Sequence, residues 1–263
     1  MTITQRNNTL LFIIGILLVI LIFLALVPYI LYKNGEIEST FLTYKKYFTS
    51  ANYIYGFSLI LFSVVSLFIL RQFFYKTNNT EIYFFMLFII SLTFEFSRPL
   101  ILLVQELNLS FLYIMFLSRA AYFSKMLGVF ALFVIAMASS DVGNNKFNTP
   151  LILIFILSFM FSSTIPLSDH ALDNSYFMPG FFSYYFFTLL FIEFLVIIIF
   201  IINFFQKRNN EYLYLAISTL FIALGREITF YMVSIEYFCA GMIFMIAGTI
   251  LFSNKLRDIY KWY

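Results

Sequence analysis

Apolar residues run along this chain in repeated stretches of roughly 20, the length a helix needs to cross about 30 Å of hydrocarbon at 1.5 Å per residue. Short polar segments separate them. The pattern predicts spans at about 9–32, 51–70, 82–104, 111–138, 150–165, 181–205, 212–233 and 237–252. The expected fold is therefore all-α: a polytopic membrane bundle of about eight transmembrane helices forming a single domain over 1–263. The least secure boundary is the break near Ser234, where only a short turn separates two apolar runs. A continuous helix over 212–252 would be about 60 Å long and could not fit one bilayer, so a hairpin is expected there.

Several connections carry their own signals. Residues 33–50 hold Glu36, Glu38, Lys45 and Lys46 with Phe41, Tyr44, Tyr47 and Phe48 at helical spacing, which suggests a segment lying on the membrane surface. Only 105–110 separates the third and fourth spans, a tight hairpin. Pro150 suits the first position of a helix, and 166–180, bounded by Pro166, Pro179 and Gly180, reads as a loop. The first apolar run exceeds the roughly 7–15 residues of a signal-peptide core and is expected to remain as a span.

Composition strengthens the membrane reading. The 263 residues are 62% hydrophobic, 22% aromatic and 11% charged, against about 25% charged for a soluble domain. The net charge of +3 does not point to nucleic acid, because the basic residues lie in short clusters between apolar runs. With the first residues cytoplasmic and about eight spans, Arg6, Arg71, Lys76, Lys146, Lys207, Arg208, Lys255, Arg257 and Lys261 fall inside, and only Lys33, Lys45 and Lys46 outside. That predicts a plasma or inner membrane protein with both termini cytoplasmic, and Trp262 and Tyr263 as an interfacial anchor.

Two segments look alike, 73–83 (FFYKTNNTEIY) and 204–212 (FFQKRNNEY). Extending the likeness brings Arg98 against Arg226 and suggests a parallel 4+4 duplication with halves 1–140 and 141–263, related by an axis along the membrane normal. Coincidence in an Asn- and Phe-rich chain is the other reading.

Chemistry enters through charges inside the apolar runs: Glu95, Arg98, Arg119, Lys125, Glu193, Arg226 and Glu227. Each costs about 2.5–3.5 kcal/mol at a span's centre on insertion scales, so such residues face a bundle interior or a water-filled cavity. Glu95 and Arg98 are three apart and can pair on one helix face. Glu227 lies about 100° around the helix from Arg226 and must point elsewhere. If all are ionised, four cations face three anions, which leaves room for an anionic ligand such as a carboxylate, phosphate or lipid headgroup in a cationic cup open to the outside. Fixed ion pairs that specify helix contacts are the competing reading, and a proton relay through Glu95, Glu193 and Glu227 is a third.

Other signals are weaker. Asp169, His170 and Asp173 would share a face only if their loop were helical. The lone Cys239 and lone His170 exclude an intrachain disulfide and a Cys/His zinc site. Ala240, Gly241, Ala247 and Gly248 place small residues at i and i+7, which permits close helix approach. No H-E-x-x-H, G-x-S-x-G or Walker motif occurs, so neither an enzyme class nor a cofactor is indicated. The function expected is binding or translocation of an anionic or amphipathic small molecule. The alternative is a sensory or scaffolding subunit whose basic tail, 255–263, contacts a membrane or cytoplasmic protein partner.

Overall fold

The computed structural model describes residues 3–33, 51–75, 79–107, 110–140, 148–171, 176–231 and 234–260. The surface segment expected at 33–50 lies almost wholly outside them, as do Lys146, Asp173, Trp262 and Tyr263. The described chain is helical apart from one small hairpin of strands. Its elements are α1 (Ile3–Lys33), α2 (Ala51–Phe73), α3 (Thr80–Leu92), a 3-10 turn (Thr93–Phe96), α4 (Ser97–Glu106), α5 (Phe111–Ser139), α6 (Asn148–Thr164), β1 (Leu167–Ala171), β2 (Phe177–Pro179), α7 (Phe182–Lys207), α8 (Asn210–Tyr231) and α9 (Ile235–Tyr260).

Among the described residues, seven helical stretches are long and apolar enough to cross a membrane, with α3, the 3-10 turn and the start of α4 counting as one. The shorter apolar helix α6 spans 17 residues, or about 25 Å. Helices are the required solution here, because hydrocarbon offers the backbone no hydrogen-bond partners. The side chains are distributed accordingly. Large apolar residues such as Phe12, Phe116, Phe187 and Phe205 point outward, whereas Ser63, Ser91, Arg98, Lys125, Glu193 and Thr219 are buried. This is a multi-pass membrane architecture.

Contacts at the helix ends establish the alternation. The Arg6 guanidinium donates to the carbonyls of Phe74 and Tyr75, joining the start of α1 to the end of α2. The Tyr260 hydroxyl donates to Glu81 at the start of α3, Lys207 Nζ donates to the Ser139 carbonyl at 2.7 Å, and Lys255 pairs with Glu211 at 3.0 Å. Arg6 and Tyr260 thus lie at one end of the bundle.

The break between α8 and α9 falls where the hairpin was expected. The two helices pack in backbone contact: a Cβ on Gly225 would stand 2.7 Å from the Gly241 carbonyl oxygen, and one on Gly248 would stand 2.9 Å from Ile222 N. Of the four small residues read as a packing stripe, Gly241 and Gly248 make this contact, while Ala247 faces outward.

The third span differs from its expectation as one continuous helix. It breaks at the 3-10 turn Thr93–Phe96, for which Pro99 supplies the reason. Proline has no N–H to offer the Glu95 carbonyl four residues earlier, and its ring crowds that carbonyl. Gly56 on α2 lets the break nest: a Cβ there would lie 2.5 Å from Pro99 Cδ and 3.0 Å from the Glu95 carbonyl oxygen.

The segment read as a loop after α6 contains an antiparallel pair of strands, with Leu167 opposite Pro179 and Ala171 opposite Phe177. Gly180 N closes its base on the Pro166 carbonyl at 2.7 Å. Asp169 and His170 therefore sit on a strand, without the helical spacing that a shared face required, and Asp173 is outside the described residues.

Candidate functional site

Six buried or part-buried charged residues in the interiors of the spans form two clusters packed against α5 and α8, with Phe230 between them, while the buried Arg6 and Glu81 lie at one end of the bundle. In the first, Arg98 Nε donates to Glu95 Oε2 at 2.8 Å, and Nη2 donates to the carbonyls of Thr229 at 3.0 Å and Phe230 at 2.8 Å. Those carbonyls belong to the last turn of α8, where the helix has no further N–H groups to offer. A fixed cation there also meets the negative end of the helix dipole. Arg98 is in effect the C-terminal cap of α8, supplied by a distant span.

The hairpin closes this cluster from the opposite end of the bundle to Arg6. The Tyr176 hydroxyl donates to Glu95 Oε2 at 3.0 Å, so its 2.8 Å contact with Ser97 has Ser97 Oγ as the donor. Burial, followed by the Glu95 charge, pushes the Tyr176 phenol well above the usual tyrosine range, which keeps it a donor. Two bonds to α5 hold the hairpin: Tyr122 donates to the Phe177 carbonyl at 2.8 Å, and Phe177 N donates to Ser118 Oγ at 3.2 Å. The Arg98 guanidinium lies 5.4 Å from the centre of the Tyr176 ring and 5.6 Å from that of Phe230. Arg98 is fully buried. The expected cup open to the outside is, at this residue, closed by Tyr176.

In the second cluster, neighbouring residues of α8 meet neighbouring residues of α5. Arg226 Nη2 donates to the Ser124 carbonyl at 3.0 Å, and Lys125 Nζ donates to Glu227 Oε2 at 2.9 Å. The 100° step between consecutive residues on each helix puts the two contacts on separate flanks. Gly128 makes the space for Arg226: a Cβ there would stand 2.3 Å from Arg226 Nη1 and 2.5 Å from Ser91 Oγ. The Lys125 ammonium lies 4.3 Å and 3.9 Å from the ring centres of Phe230 and Tyr231, a cation–π arrangement in a desolvated site.

Glu193 completes this cluster from α7. It is 3% exposed, and among the described residues neither of its carboxylate oxygens has a hydrogen-bond partner; Glu227 Oε1 and Arg226 Nη1 are also unpartnered. Glu193 and Glu227 both line a crevice of about 410 Å³ between α7 and α8. Its remaining walls are apolar and include Phe186, Phe194, Leu220 and Ala223. Phe194 and Leu224, at its mouth, are exposed on the bundle's outer surface.

Of the seven residues singled out in the sequence, six enter these clusters and Arg119 does not. It lies nine residues before Gly128 on α5, which is 180° around the helix from the Arg226 contact. It is half-buried, and its Nε has no hydrogen-bond partner among the described residues. Without Arg119, and with all six ionised, Arg98, Lys125 and Arg226 match Glu95, Glu193 and Glu227 one for one.

The two arginines that the suggested duplication equates differ in their hydrogen bonds, Arg98 to α8 and Arg226 to α5, but each guanidinium lies 5.6 Å from the centre of a ring on the other's span, Phe230 for Arg98 and Phe88 for Arg226. Tyr176, Tyr122, Gly128 and Phe230 were not singled out in the sequence as part of a site. Only Gly128, a lone glycine inside a long apolar run, carried a visible signal. Among the described residues no group of three His, Cys, Asp or Glu could hold a metal ion, and Cys239 is exposed near the start of α9. Comparison with protein-family models, curated proteins and solved structures gives no match.

Proposed function

We propose that this multi-pass membrane protein binds an amphipathic small molecule from within the bilayer, with its polar head at Glu193 and Glu227 and its apolar part in the crevice between α7 and α8. Glu193 carries this reading. A buried carboxylate with no donor is costly, and this one lines the crevice between α7 and α8. The crevice lies within the usual 300–1,000 Å³ range of small-molecule sites and has their usual character, apolar walls with a few convergent polar groups. Lys125 holds the Glu227 carboxylate in place at 2.9 Å. Glu95 and Arg98 act at a distance, by fixing the end of α8.

The one-for-one match of charges removes the surplus cation that favoured an anionic ligand. Translocation would further require a route past Tyr176, so binding is the part of the expectation that is carried forward. The alternative, a sensory or scaffolding subunit acting through its basic end, finds less support: Lys255 pairs with Glu211, and Arg257 lies 4.9 Å from the centre of the Phe73 ring.

The test is mass spectrometry of molecules that copurify in mild detergent. Wild-type protein is expected to retain a lipid-like molecule that Glu193→Leu loses while remaining inserted and monodisperse. Equal retention by both proteins would refute the assignment of the site.

A further inference from the structure

The charge pattern around the crevice also selects among amphiphiles. Resting on the binding reading above, we infer that the head group is uncharged and rich in hydrogen-bond donors, a hydroxyl or diol on an apolar tail. Three carboxylate oxygens, both of Glu193 and Oε1 of Glu227, have no donor among the described residues. A ligand that completes them must therefore donate. Lys125 is not available for this, since it is engaged with Glu227 Oε2 at 2.9 Å. Arg226 directs Nη2 to the Ser124 carbonyl, and its Nη1 packs against the Gly128 and Ser91 side of α5.

Charge balance decides which donor fits. With both carboxylates ionised, Lys125 and Arg226 match Glu193 and Glu227. An ammonium head would place a third cation beside two carboxylates, and a carboxylate or phosphate head would place a third anion beside oxygens that lack donors. Neither imbalance is screened by water in a buried site, so both oppose binding strongly. A diol supplies two O–H donors at no cost in net charge. The lining of Phe186, Leu190, Phe194, Ile197 and Leu220 then accommodates the chain of the amphiphile.

The experiment uses the full-length protein in lipid nanodiscs and a photoactivatable monoacylglycerol with a diazirine near the head-group end of its chain. Labelled residues are mapped by mass spectrometry. Competition comes from unlabelled monoacylglycerol, a primary alkylamine and a fatty acid of the same chain length. The expected result is labelling on α7 and α8 around Phe194 and Leu224, with the monoacylglycerol competing at least about tenfold better than either charged compound, equivalent to about 1.4 kcal/mol. Glu193→Gln, which keeps the shape but replaces one acceptor with an amide NH2, should reduce labelling by about tenfold. Ala223→Leu, which narrows the crevice without touching a charge, should do the same and serves if Glu193→Gln fails to insert. Equal or better competition by the amine or the fatty acid would overturn the neutral-head inference while leaving the site in place. Absence of crevice labelling by any probe, or undiminished labelling in both variants, would overturn the binding reading itself.

Discussion

Each of the two buried clusters contains a glutamate and an arginine within hydrocarbon-crossing helices, yet they are finished to different degrees. Glu95 and Arg98 make four hydrogen bonds that join the third span, α8 and the hairpin, with Arg98 Nη1 unpartnered among the described residues. Glu193 makes none among the described residues. Both glutamates are costly on an insertion scale, and both would be noticed equally in the sequence. The difference lies in whether the protein itself completes their bonding. A buried carboxylate that the protein bonds fixes structure, whereas one that it leaves unbonded keeps capacity for something else.

This contrast is most exposed to Arg98→Gln. The substitution leaves Glu95 without its cation and uncaps the last turn of α8, so a loss of about 3–5 kcal/mol is expected, the range for breaking a buried pair. Thermal unfolding in detergent, or loss from the membrane fraction, would measure it. If Arg98→Gln were neutral, the first cluster would not be what holds the third span to α8.

Gly128→Ala comes next. Its Cβ would occupy the position of the Arg226 guanidinium, and an overpacking cost of about 1–3 kcal/mol is expected. Because this change alters no charge, a normal melting temperature would show that Arg226 can settle elsewhere. Tyr176→Phe removes the hydroxyl between Glu95 and Ser97 and should cost about 1–2 kcal/mol. It also has a signature in pH. A phenol whose pKa is raised by folding contributes stability that is fully present below its unfolded pKa of about 10 and is lost as pH rises above it, while the unfolded chain ionises and the folded one does not. The stability difference between wild type and Tyr176→Phe should therefore shrink above about pH 10, as read from melting curves across that range. A constant difference would mean that Tyr176 ionises as freely in the fold as out of it.

The smallest effect on stability is expected from Glu193→Gln, within about 1 kcal/mol, because no protein hydrogen bond is lost. Its effect should fall on ligand retention instead. A large loss of stability there would make Glu193 a structural residue and erase the distinction between the two clusters.

Much of this arrangement was legible in the chain. The apolar runs marked every long helix, the i, i+3 spacing marked the Glu95–Arg98 pair, and the length limit on a single span required the α8–α9 hairpin. Other features depend on information that a linear pattern does not hold. Arg119 and Lys125 sit in the same apolar run, and because α5 is apolar on nearly every side, periodicity could not tell which of the two faces the bundle interior. That single ambiguity produced the apparent surplus of cations. Tyr176 is one of 19 tyrosines, and only the folded hairpin distinguishes it. The break in the third span could have been anticipated, since Pro99 stands in its interior and proline there leaves the preceding turn short of a hydrogen bond.

The pairing of Arg98 has a consequence for how the chain is made. Its carbonyl acceptors lie 131 and 132 residues further along, so the third span must enter the bilayer well before α8 has been synthesised. During that interval Glu95, three residues away in the same span, is the neighbour that can offset its charge. Glu95 thus acts as an escort during insertion, and α8 inherits in Arg98 a cation that an earlier helix has already carried into the membrane.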